Sequence, residues 1–181
     1  MRMDSVTLAG TAILSALVVV FDYALKFSGL KIPFPWLPFL KFDLTGIPIM
    51  LSLLLYGLPS SIITSVTAFI AIFARSSNIV GSSMKFVAEL STAFGAAVGL
   101  RLSRSRFRMK FLFFGVALRC VVMAVVCSIV LPLAYLIPSI IVIGWMPLLI
   151  VFNAVQGGIS IVGGLLLYEL LLRRFPQIRS L

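Results

Sequence analysis

The sequence predicts an all-α, polytopic membrane protein with six transmembrane helices and an apolar loop between helices 1 and 2 folded over the outer side. Three observations predict it. The 181 residues are 61% hydrophobic and only 11% charged, with a mean hydropathy of +1.20; a soluble domain carries roughly a quarter charged residues, because its surface meets water. The apolar residues fall in successive runs of helical length, broken by short polar or proline- and glycine-marked stretches. The basic residues collect at the ends of those runs rather than along an amphipathic face. At about 20 residues per span, the chain has room for six or seven helices and no separate soluble domain. Residues 1–181 are therefore expected to form a single membrane-embedded domain.

Span 1 is predicted over Val6–Phe27. The start MRMDS has the outline of a signal peptide, but the apolar run is long and equally strong runs follow, so a retained first helix is expected. Residues 28–42, SGLKIPFPWLPFLKF, hold Pro33, Pro35 and Pro38, which a helix interior does not accommodate. The stretch is also rich in Phe, Trp and Leu, so it reads as an apolar loop folded over the bundle or lying in the membrane interface.

Span 2 is predicted over Leu44–Tyr56, the Gly57-Leu58-Pro59 turn makes a helical hairpin, and span 3 covers Ser60–Ala74. RSSNIVGSS (75–83) reads as a polar connection, span 4 as Met84–Leu100, and RLSRSRFRMK (101–110) as a basic loop. Span 5 is Phe111–Leu136, Pro138–Pro147 a turn holding Gly144 and Trp145, and span 6 Leu148–Leu172. Spans 2 and 3 are short for a hydrocarbon core of roughly 30 Å, which is tolerable where protein shields their ends.

With the N-terminus inside, nine basic residues (Arg2, Arg101, Arg104, Arg106, Arg108, Lys110, Arg173, Arg174 and Arg179) flank the cytoplasmic side, against four outside (Lys26, Lys31, Lys41 and Arg75). This bias predicts a multi-pass protein of the plasma membrane with both termini cytoplasmic. It also accounts for the formal charge of +10 through lipid topology, so no nucleic-acid partner is expected. The outer exceptions mostly flank the proline-rich loop, where they could meet a ligand.

No enzyme is expected. Histidine is absent, and no GxxxxGK[ST], HExxH or CxxC motif occurs, which removes nucleotide hydrolysis and most metal and cofactor chemistry. Cys120 and Cys127 share one helical run, their α-carbons about 10 Å apart and beyond disulfide reach.

What remains is a sparse set of polar groups in or beside spans: Asp43, Lys85, Glu89, Arg119, Asn153, Gln156 and Glu169. In a bilayer each is costly enough to raise a functional question. Asp43 can cap span 2; Glu169 can pair with Arg173 at i+4. Lys85 and Glu89 share one face of span 4, where they can satisfy each other or present a line of contacts to a ligand. Arg119 can snorkel or pair with Glu89. Asn153 and Gln156, ahead of Gly157-Gly158, favour a ligand contact over helix bonding alone. Ala12 and Ala16 form a small-xxx-small pair that lets a partner helix approach closely.

The chain resembles the substrate-binding S component of energy-coupling factor (ECF) vitamin transporters. The resemblance rests on Ala12/Ala16 in the first helix, the apolar loop after it, FLKFDLTGIPIMLSLLLYGLPSSIITSV (39–66) and PLLIVFNAVQGG (147–158). It is strongest to the riboflavin type, from which Gln156 departs where a Lys is usual and Gly46 where an acidic residue is usual. The resemblance implies a six-helix binding protein without ATPase activity that captures a vitamin from outside. It further implies docking through Ala12 and Ala16 onto a transmembrane T component carrying two cytoplasmic ATPases. The expected site has Phe34, Trp36 and Phe39 stacking on a planar ring, with Lys41, Asp43, Lys85, Glu89, Asn153 and Gln156 as polar partners. Riboflavin fits that mixture, and a pantothenate-like vitamin stays open. The alternatives from other classes are a structural or assembly membrane protein without a ligand and a small self-sufficient secondary transporter.

Overall fold

A computed structural model describes residues 4–29, 31–102 and 107–175. Six helices and one hairpin follow in order: α1 (Ser5–Phe27), β1 (Ile32–Phe34), β2 (Leu37–Phe42), α2 (Gly46–Tyr56), α3 (Leu58–Ser76), α4 (Ile79–Leu102), α5 (Phe107–Tyr135) and α6 (Ser139–Arg174). Helix α4 packs along α5, α5 along α6, α2 against α6, and α1 against α3.

The bundle is apolar outside, and many of the side chains it buries are polar. Large apolar side chains point outward along its length, among them Ile13 (69% exposed), Phe113 (67%) and Leu133 (75%). Thr11, Ser52, Ser60, Ser61, Thr64 and Thr92 are buried, their hydroxyls bonded to carbonyls one turn back, to each other or, for Ser61, to the Ile49 carbonyl of α2 at 3.3 Å; Thr11 Oγ1 lies 2.9 Å from Ser60 Oγ. Water would penalise such an exterior, whereas lipid does not. Helices α1, α3, α5 and α6 are long and apolar enough to cross a membrane. The chain is a polytopic α-helical membrane protein. Helix α4 has 24 residues, about 36 Å at helical rise, and turns Glu89 inward. Helix α2 has only 11 residues, and Ile49 and Met50 at its centre are fully buried, so protein rather than lipid surrounds it.

Four boundaries differ from the sequence reading. The 28–42 stretch contains an antiparallel hairpin pairing Ile32 with Phe42 and Pro33 with Lys41, irregular after Pro33. In a two-stranded sheet each strand has one free edge, the setting in which a strand tolerates proline. The polar 75–83 segment is largely helical, because Ser77 turns the chain at φ 53° and Asn78 caps α4, its Oδ1 accepting the Gly81 N–H at 2.9 Å. Helix α3 has 19 residues and is not short. The supposed turn at Pro138–Pro147 is the first part of α6, which runs through Pro147. A proline in a membrane helix loses one backbone bond, which neighbouring protein can compensate.

Glycine spacing sets the tightest helix contact. At Gly95 a Cβ would lie 2.3 Å from the Phe114 carbonyl oxygen, and at Gly99 2.6 Å from that of Lys110. This small-xxx-small pair on α4, rather than Ala12/Ala16, seats a neighbouring helix within the chain. Two apolar clusters fill the interior. One joins Val18, Ile49, Met50, Phe111 and Ile161; the other places hairpin residues Phe34 and Leu37 against Met123, Cys127, Leu149 and Phe152.

Candidate functional site

Between the hairpin and α4–α6 lies a cavity of about 800 Å³, reached also by the ends of α1 and α3. Its apolar surface is supplied mainly by α5 and α6, through Met123, Cys127, Leu131, Trp145, Leu149 and Phe152. Its polar groups are Lys26, Lys31, Lys41, Asp43, Arg75, Lys85 and Glu89 from the hairpin segment, α1, α3 and α4, with Arg119, Asn153 and Gln156 from α5 and α6. An apolar enclosure with a few convergent polar groups is the usual make-up of a small-molecule site, and the volume is within its usual range.

Asp43 is the hub. Its Oδ1 accepts the Thr45 N–H at 3.2 Å and the Thr45 hydroxyl at 2.8 Å, ordering the start of α2. Its Oδ2 accepts from Lys85, with Lys31 Nζ at 3.9 Å. Its backbone is held by Gln156: the Asp43 N–H donates to Oε1 at 3.2 Å, and Nε2 donates to the Asp43 carbonyl at 2.9 Å. Gln156 therefore fastens the end of the hairpin to α6 while lining the cavity.

Deeper in, Arg119 Nη1 donates to Glu89 Oε1 and to Thr92 Oγ1, both at 3.1 Å, and Nε donates to Asn153 Oδ1 at 3.2 Å. Asn153 Nδ2 donates to the Leu149 carbonyl of its own helix at 2.9 Å. Glu89 Oε2 is buried without a partner among the described residues. It stands where a Cβ on Gly46 would lie 2.7 Å away, with Ser160 Oγ at 2.1 Å from that same point. Only glycine at position 46 leaves room for both side chains.

Of the residues expected at the site, Phe39, Lys41, Asp43, Lys85, Glu89, Asn153 and Gln156 line one cavity. Phe34 lies under the hairpin, packed on Trp36, Phe42 and Phe152 with ring centroids 5.2–5.9 Å apart. Trp36 is 64% exposed and outside the cavity wall. Phe39 instead meets Trp145 at 5.7 Å. Ala12 and Ala16 are exposed on the outer face of α1. Two expected pairings differ. Lys85 pairs with Asp43 rather than Glu89, and Glu89 pairs with Arg119. Glu169 meets Arg108 at 3.0 Å on the neighbouring helix α5 rather than Arg173, because the packing of α5 along α6 brings a second cation within reach of it.

Asp22 escaped the sequence reading. It is fully buried near the end of α1, bonded to Lys31 Nζ at 2.6 Å and to Arg75 through Nε at 2.6 Å and Nη2 at 3.3 Å. The signal was present: an acid inside an apolar run, with two unexplained outer cations to match it.

Neither a family model nor a curated protein sequence matches the chain. A solved structure described as "Structure and mechanism of the S component of a bacterial ECF transporter" superposes with a TM-score of 0.78 at 24% identity, over 92% of this chain and 95% of that one. The two share a fold: the chain has the helical architecture of that S component.

Proposed function

We propose that the protein is the membrane-embedded substrate-binding (S) subunit of an ECF-type importer and that it captures a small vitamin in the cavity between the hairpin and α4–α6. The observation that carries this reading is the cavity itself: about 800 Å³, with a broad apolar surface and convergent polar groups, of which Asp43, Glu89, Arg119, Asn153 and Gln156 are buried. The shared fold supports it. A purely structural membrane protein has no need of such a chamber. No chemistry is ascribed to the chain; it binds and releases, with Phe39, Lys41, Asp43, Lys85, Glu89, Asn153 and Gln156 as ligand-facing groups and Phe34 holding the hairpin in place.

Uptake in this reading is powered by partner ATPases. Ala12 and Ala16, exposed on α1, are the proposed contact for the T component that carries them, because small side chains permit close helix approach. The basic bias supports cytoplasmic termini, an orientation in which the hairpin roofs the cavity from outside. Riboflavin is the vitamin of the type that the 39–66 and 147–158 segments most resemble. Mass spectrometry of small molecules released from freshly purified protein tests the reading. A stoichiometric vitamin supports it, and a yellow preparation assigns a flavin. Protein that carries none and takes up none from a vitamin mixture contradicts it.

A further inference from the structure

Resting on the reading of this cavity as a binding site, we propose that its ligand is an anion: an organic molecule with an apolar body and at least one carboxylate or phosphate group. Lys26, Lys31, Lys41, Arg75, Lys85 and Arg119 all line the cavity, against the carboxylates of Asp43 and Glu89. Asp22 is the third acid in contact with this set. Six cations thus face three acids.

The pairing shows where the surplus lies. Arg119 and Glu89 neutralise each other at 3.1 Å, and Lys85 takes Asp43. Lys31 and Arg75 then share the single carboxylate of Asp22, with Lys31 only 3.9 Å from the already paired Asp43. Lys26 and Lys41, both exposed, have no ion pair among the described residues. The excess is therefore concentrated where the end of α1, the hairpin and the end of α3 meet the cavity, while on α5 and α6 the cavity-lining cation Arg119 is paired and Met123, Leu131, Leu149 and Phe152 offer an apolar surface.

Walls of low dielectric focus such a field onto whatever enters. A carboxylate or phosphate there accepts charge-assisted hydrogen bonds from ammonium and guanidinium groups, and an apolar body rests on the far wall. A neutral ligand of the same shape leaves the surplus uncompensated. Riboflavin is neutral, so this inference favours an anionic vitamin over it.

The test uses the full chain in nanodiscs of neutral lipid and titrates matched pairs that differ in one charged group: pantothenate and pantothenol, biotin and biotinamide, riboflavin 5′-phosphate and riboflavin. In whichever pair binds, the anionic member should bind about tenfold tighter or more at low salt, a preference that shrinks as salt rises. Response in the carboxylate pairs or in the phosphate pair identifies the group. The double variant Lys26→Gln/Lys41→Gln, which touches no buried pair, should reduce the preference about threefold or more. A neutral member that binds as tightly as its anionic twin, or a preference unchanged in the double variant, overturns the anion assignment and leaves the binding function standing. No binding by any of the six compounds overturns both.

Discussion

Gln156 and Asp43 exchange two hydrogen bonds across 113 positions of sequence, one from the Asp43 N–H at 3.2 Å and one to its carbonyl at 2.9 Å. A single α6 side chain thereby satisfies both backbone groups of a buried residue that joins the hairpin to α2. Gln156→Leu has nearly the same volume but leaves both groups unpaired. Each unmet buried group costs about 1–3 kcal/mol, so the variant should unfold at clearly lower temperature or denaturant concentration. Unchanged unfolding would show that the clasp contributes nothing.

The Arg119–Glu89 pair is enclosed, with side chains 4% and 1% exposed. Removing one partner strands the other charge, at a cost of about 3–5 kcal/mol, whereas replacing both by apolar residues is often near neutral. Arg119→Met and Glu89→Leu should each destabilise strongly, and the double variant less than either. A double-variant cycle read by denaturant unfolding checks this; simple addition of the two losses would exclude the coupling.

Close packing of α4 on α5 depends on Gly95 and Gly99. Gly99→Leu should prevent monodisperse folding, because its side chain would have to displace the α5 backbone. Size-exclusion chromatography reads this out, and a normal elution profile contradicts the packing.

Most of the helices were legible because apolar runs of span length have few other fates. The hairpin was not, since Pro33 and Pro38 argue against a strand unless both strands are edges. The continuity of α6 was hidden by Pro147, whose lost bond reads as a break in sequence but not in a packed membrane helix. The candidate site was partly legible. Rare ionisable residues announce themselves in an apolar chain, as Glu89 and Arg119 did. Their pairing with each other was among the sequence readings and holds, whereas the partner of Lys85 was hidden, because Asp43 is 42 positions away on another element. Asp22 went unnoticed because its partners, Lys31 and Arg75, stand beyond α1.

Docking through α1 is open to a direct test. Ala12 and Ala16 are exposed, so replacing both by Trp should leave the isolated protein folded and able to bind, yet abolish uptake in cells that supply the ATPase partners. Uptake at the wild-type rate would remove α1 as the docking face.

Vitamin binding in the cavity is measurable through the two tryptophans. Trp145 lines the cavity, while Trp36 is exposed and outside it. In a Trp36→Phe variant, Trp145 becomes the sole tryptophan and reports on the site. Titration with a panel of vitamins should give saturable, one-to-one quenching by at least one of them, and filling the cavity by Ala88→Phe should abolish it. No saturable change with any vitamin in the panel would contradict the central claim.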